Sequence, residues 1–212
     1  MKNEISDDTL LTPDNHALLM IDHQYLQLLS LRSHPNETVV NNSVFAAKAA
    51  KVFGAPTLFT TAFAERQALF QELQAVHPDQ VPIDRTGLNS WDDPRVLDWV
   101  TRTGKTKLVM AGLWTEVCLS MPVLSALATG FEVYIITDAS GGTEEGHERG
   151  IQRMVQAGAR PLTTIAYVSE LMRDWNRPYA ESIAQLFAEH GGGFGQALRW
   201  EWQLLGLKEG TR

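Results

Sequence analysis

Lys107-Leu-Val-Met-Ala-Gly-Leu-Trp-Thr-Glu-Val-Cys118 opens on the most apolar run of the chain and then changes period. Residues 107–113 are short, continuous and apolar, which predicts a strand buried on both faces. Residues 115–128 read as a helix stopped by Gly130. The same pairing repeats outward in both directions. Upstream lie His16-Ala-Leu-Leu-Met-Ile-Asp22 as a strand, a helix over 36–53 with Gly54 as its C-cap, and a strand over 55–62. A helix over 67–76, a brief strand over 81–85 and a helix over 94–103, capped by Asp93 with Pro94 in its first turn, complete that side. Downstream, a strand over 131–137, a helix over 144–157 ended by Gly158, and a strand over 160–168 follow. Strands alternating with helices imply right-handed βαβ crossovers. The expected fold is a three-layer α/β/α sandwich with a six-stranded, mainly parallel sheet.

The chain's 212 residues suit one domain, placed at 1–190, with a tail at 191–212. In that tail Gly191-Gly-Gly-Phe-Gly195 reads as a flexible break. Leu198, Trp200, Trp202, Leu204 and Leu205 beyond it need a surface to cover, on their own domain or on a neighbouring subunit. Hydrophobic residues make up 44% and charged ones 20%, too apolar a mixture for disorder. A net charge of −7 with no Lys/Arg-rich run disfavours a nucleic-acid partner. The polar, acidic residues 1–10 lack the pattern of a signal peptide, and no apolar run approaches the roughly 18 residues of a membrane span. One cysteine excludes an intrachain disulfide. The expectation is a cytoplasmic protein without a membrane partner.

In open α/β sheets ligands gather at the carboxyl ends of the strands. Asp22, Arg85, Cys118 and Asp138 all fall on that edge. Cys118, placed in the first turn of a helix, is expected to have a lowered pKa through the helix dipole and so to serve as a nucleophile. The plainer alternative is a small buried hydrophobe, and Asp22 and Arg85 could equally be a cap and a surface ion-pair residue. Together the three supply a carboxylate base, a thiol and a fixed cation, the set that covalent acyl chemistry requires. Other constellations fail: no glycine-rich dinucleotide loop follows the first strand, no phosphate-binding loop is present, and the six histidines form no spaced ligand pair. No metal and no cofactor is therefore expected. His23, Gln24, Asn89 and Trp91 are candidates for the pocket.

Leu18-Leu-Met-Ile-Asp-His-Gln24, Arg85-Thr-Gly-Leu-Asn-Ser-Trp91, the run ending at Cys118 and Val133-Tyr-Ile-Ile-Thr-Asp-Ala139 occur in an order that resembles the isochorismatase-like cysteine hydrolases. Glu170-Leu-Met-Arg-Asp-Trp175 is similar to a segment of their YcaC-like branch. The resemblance covers about residues 14–190 and implies a Rossmann-like topology with a catalytic triad of Asp22, Arg85 and Cys118. It further implies a cis peptide at Leu113–Trp114 that turns the Trp114 N–H toward that of Cys118, forming an oxyanion hole. Two departures stand out. Arg85 occupies a position where the wider family usually has Lys, and a guanidinium cannot shuttle a proton. The Asp-x-His segment of the metal-binding nicotinamidase branch is absent from Thr61-Ala-Phe-Ala-Glu-Arg66. The implied activity is metal-independent hydrolysis of a small amide or related C–N bond, with a small-molecule substrate and a homo-oligomer larger than a dimer. A non-catalytic scaffold and a redox-sensing thiol protein remain as alternatives on the same fold.

Overall fold

The computed structural model describes residues 9–211. The reading of residues 1–10 therefore falls mostly outside the described residues. Six strands form one sheet: β1 (His16–Ile21), β2 (Thr57–Ala62), β3 (Ile83–Arg85), β4 (Lys107–Gly112), β5 (Glu132–Ile136) and β6 (Arg160–Leu162). Their order is β3-β2-β1-β4-β5-β6, and every neighbouring pair is parallel. The chain thus winds outward one way from β1 and then the other way from β4. Between these two strands lies the topological switch point where α/β folds place their ligands.

Nine α-helices stand among the described residues: α1 (Tyr25–Leu29), α2 (Asn36–Phe53), α3 (Gln71–Gln74), α4 (Pro94–Thr103), α5 (Ser120–Ala128), α6 (Glu144–Gln156), α7 (Thr164–Met172), α8 (Ala180–His190) and α9 (Gly192–Leu205). Alternation along the strands divides the core in two. Leu18 and Met20 of β1 join Phe45 of α2, Leu171 of α7 and Phe187 of α8 on one face. Ala17, Leu19 and Ile21 join Val96 of α4, Val123 of α5 and Met154 of α6 on the other. This is the expected three-layer sandwich.

Four local readings need correction. The helix expected over 67–76 shrinks to the single turn of α3, because the polypeptide around it is tied to the β1 loop instead: Phe70 N–H donates to His23 O and Gln24 Nε2 to Gln67 O. The strand expected over 160–168 lasts three residues and becomes α7. Thr163 caps that helix by accepting from Ala166 N–H, and Asp138 Oδ1 accepts from both the N–H and the hydroxyl of Thr164. The helix expected from Thr115 begins as a π-type turn, Thr115–Leu119, in which Leu119 N–H reaches back five residues to Trp114 O. Finally, Gly191–Gly195 is not a flexible break but a close helix–helix junction. A Cβ at Gly195 would lie 2.1 Å from Phe187 O, so only glycine lets α9 fold back on α8. There Trp202 is buried on Ala184 and Ala188, while Trp200, Leu204 and Leu205 stay exposed.

Candidate active site

Asp22 follows the last residue of β1 with φ of +56°, a left-handed conformation that costs a non-glycine residue about 1–3 kcal/mol and is held only by its surroundings. Those surroundings are specific. Its N–H donates to Thr60 O at 3.1 Å, and its Oδ1 accepts from the Thr60 hydroxyl at 3.1 Å. Its Oδ2 accepts from Arg85 Nη2 at 2.7 Å. Arg85 reaches this point from the end of β3, two strands away, with Nη1 donating to Gly87 O. Both side chains are almost wholly enclosed.

Cys118 comes to the same carboxylate from the far side of the switch point, on the turn that follows β4. Its thiol faces the Asp22 carboxyl closely enough for each group to shift the other's titration. The backbone amide of Trp114 favours negative charge on the sulfur, against the larger effect of burial. The Leu113–Trp114 peptide is cis. The expectation of a lowered thiol pKa is wrong: burial first, and the Asp22 carboxylate second, push it up to about 12. Burial likewise raises the pKa of Asp22, against the pull of Arg85. The resting site is therefore a neutral thiol lying on a carboxylate that is pinned by a guanidinium.

The four pocket candidates separate. Asn89 lines a cavity of about 440 Å³ together with Arg85, Thr86 and Gly87, so Arg85 borders both this cavity and Asp22. Asn89 Oδ1 also accepts from Trp91 N–H, capping the short turn there. Trp91 itself belongs to the core, edge-on to Phe131. Gln24 is a brace, bonded to both the N–H and the O of Ala62. His23 is fully buried with Nε2 on Ala139 O, and burial takes its pKa down to about 4. It does not stand on a pocket rim. Asp138, the fourth polar residue of the strand edge, is spent on capping α7. Among the described residues no group of three or more His, Cys, Asp or Glu side chains is placed to hold a metal ion. Sequence reasoning missed Thr60, which orients Asp22. Its only signal was that it is one of the three threonines of β2, near the strand's carboxyl end.

The family model of the isochorismatase domain matches residues 16–166. The chain belongs to this family. It is 39% identical over 184 residues to the "Probable hydrolase YcaC" of Escherichia coli, with 85% of this chain and 88% of that one covered. The crystal structure of that protein, described as an octameric hydrolase of unknown specificity, superposes with a TM-score of 0.88 at 35% identity over 94% of this chain and 99% of that one. YcaC from Pseudomonas aeruginosa, solved with hexane-2,5-diol and covalent acrylamide, gives a TM-score of 0.87 at 32% identity over 95% and 99%. The chain is thus a YcaC-like hydrolase of the isochorismatase family. Among the described residues no helix is long and apolar enough to cross a membrane.

Proposed function

We propose that this hydrolase cleaves a small amide or related C–N bond through a thioester on Cys118, with Asp22 as the proton carrier and Arg85 as the fixed charge. The observation that carries the reading is the placement of one buried carboxylate between a guanidinium and the only thiol. The thiol proton passes to Asp22 as the sulfur attacks the substrate carbonyl, so that no free thiolate is required beforehand. This accommodates a thiol whose resting pKa is high. The negative charge that develops on the carbonyl oxygen is met by the backbone N–H groups of Trp114 and Cys118. Asp22 then delivers its proton to the leaving nitrogen, and the C–N bond breaks. Water, deprotonated by Asp22, attacks the thioester and releases the acid, and the proton returns to the sulfur. Arg85, permanently charged, keeps Asp22 competent as a carboxylate and takes no part in moving protons. No step requires a metal.

The covalent acrylamide in the Pseudomonas aeruginosa relative supports the reading, since in this chain an electrophile of that kind has Cys118 as its only thiol target. A redox-sensing thiol is poorly supported, because such cysteines are accessible and of low pKa, and Cys118 is neither. The octameric relative also supports assembly of this chain into a closed homo-oligomer. The exposed Trp200, Leu204 and Leu205 of α9 then lie against another copy. The test is ammonia release from a panel of small primary amides. Cys118→Ala should lower any turnover by several orders of magnitude while the fold persists, and residual activity above about 1% would remove Cys118 from the nucleophile's role.

A further inference from the structure

The turn that carries Cys118 is held by α6, and the decisive contact is between a carboxylate and bare backbone. A Cβ at Gly142 would stand 2.2 Å from Glu116 Oε2, and one at Gly146 would stand 2.2 Å from Glu116 Oε1. A Cβ at Gly150 would meet Glu116 Cα and Thr115 Cγ2, each at 3.1 Å. Four-residue spacing puts Gly146 and Gly150 on one side of the helix, so the glycines form a groove that residues 115–116 fill. At the mouth of the groove Thr143, the N-cap of α6, accepts from Gly146 N–H and donates to Glu116 Oε1 at 3.4 Å. The carboxylate therefore sits at the N-terminal end of a 13-residue helix, where unpaired N–H groups and the helix dipole favour a negative charge. Its Oε2 is buried without a hydrogen-bond partner among the described residues. A second tie lies one residue earlier, with the Thr115 hydroxyl 2.8 Å from His147 Nδ1 of α6. Burial and the neighbouring His34 bring the pKa of His147 down to about 4, which keeps the ring neutral at ordinary pH.

We propose that Glu116 is a positioning residue for the nucleophile. Seated in the glycine groove of α6, it fixes the π-type turn so that the Cys118 sulfur stays on Asp22 and on the Trp114 amide. This rests on the reading of Cys118 as the nucleophile. A π-type turn has no regular i→i+4 ladder to hold its side chains in place, so an external anchor decides where the sulfur points. Nothing in the catalytic scheme uses Glu116, yet three glycines are committed to receiving it and its backbone.

The test is the rate constant for acrylamide addition to Cys118 in the intact protein, followed by mass spectrometry from about pH 6 to about pH 10. Wild type, Glu116→Gln and Thr115→Val are compared. Displacement of the turn should slow addition at least about fivefold in both variants across this range, with circular dichroism unchanged. The direction is diagnostic. Loss of a nearby negative charge would by field alone favour the thiolate and quicken addition, so a rate that is unchanged or faster in Glu116→Gln overturns the proposal. A lower melting temperature with the wild-type rate at every pH also overturns it, leaving Glu116 a structural anchor only. If Glu116→Gln does not fold, Thr115→Val, which alters no charge, carries the same decision. Failure of the underlying reading has a different signature: no acrylamide adduct on Cys118 of the wild-type protein at any pH in this range.

Discussion

Replacing Arg85 by Met removes the only cation among the described residues that acts on Asp22. The side chains of the pair are 3% and 0% exposed and their charged atoms are 2.7 Å apart, so the pair is buried. What remains for the carboxylate is the Thr60 hydroxyl and the Cys118 thiol. Breaking one half of a buried pair in this way costs about 3–5 kcal/mol. In a domain of this size each kcal/mol moves the melting temperature by about 2–4 °C, so Arg85→Met should melt about 6–20 °C below wild type near pH 8. The sign with pH follows from Asp22. Its pKa is already raised by burial, and Arg85 is the largest influence lowering it. Without Arg85 the folded-state pKa rises further above the unfolded value. A carboxyl of that kind stabilises fully below the unfolded pKa and loses its contribution as pH climbs through the folded one. The penalty of Arg85→Met should therefore shrink on acidification toward about pH 4, where the unfolded carboxyl also begins to hold its proton. Differential scanning fluorimetry of both proteins across this range measures it. A loss below about 1 kcal/mol, or one that is equal at both ends of the range, would refute the argument that the ion pair is buried and charged.

Asp22→Asn should separate field from proton transfer. Removing the carboxylate lowers the Cys118 pKa and shifts its alkylation profile to lower pH, while amide turnover falls by about 10²–10⁴ for want of a base. Gly195→Ala forces a Cβ to within 2.1 Å of Phe187 O, and should destabilise the α8–α9 junction by about 1–3 kcal/mol, read as a lower melting temperature. Light scattering of the intact protein should give a mass several times the 23.6 kDa of one chain, and Leu204→Glu on the exposed face of α9 should reduce it. A single-chain mass at micromolar concentration would remove the proposed assembly.

Elements whose ends are set by neighbouring residues were legible in the sequence. Asp93 and Pro94 open α4, and Gly54 in the left-handed conformation ends α2, where local chemistry says they should. β6 and α7 were run together because the residue that separates them, Asp138, caps α7 from 26 positions upstream. The glycines of the tail were read as freedom because their partner, the Phe187 carbonyl, lies on another helix. Asp22, Arg85 and Cys118 were identifiable as groups at strand ends, but their electrostatics were not. A helix terminus supplies at most about 2 kcal/mol, or roughly 1.5 pKa units, whereas full burial shifts a pKa by up to about 3–5 units. For Cys118 burial wins, and burial is a property of the packed sheet rather than of the turn.

On the proposed mechanism Cys118 forms a covalent acyl intermediate which water then clears. Mixing the protein with p-nitrophenyl acetate and quenching at intervals, followed by intact mass spectrometry and peptide mapping, tests it without knowledge of the natural substrate. One acetyl group should build up on Cys118 within the burst of nitrophenol and then decay, and it should persist longer in Asp22→Asn. No acetyl group on Cys118 at any interval, with nitrophenol still released at the wild-type rate by Cys118→Ala, would contradict it.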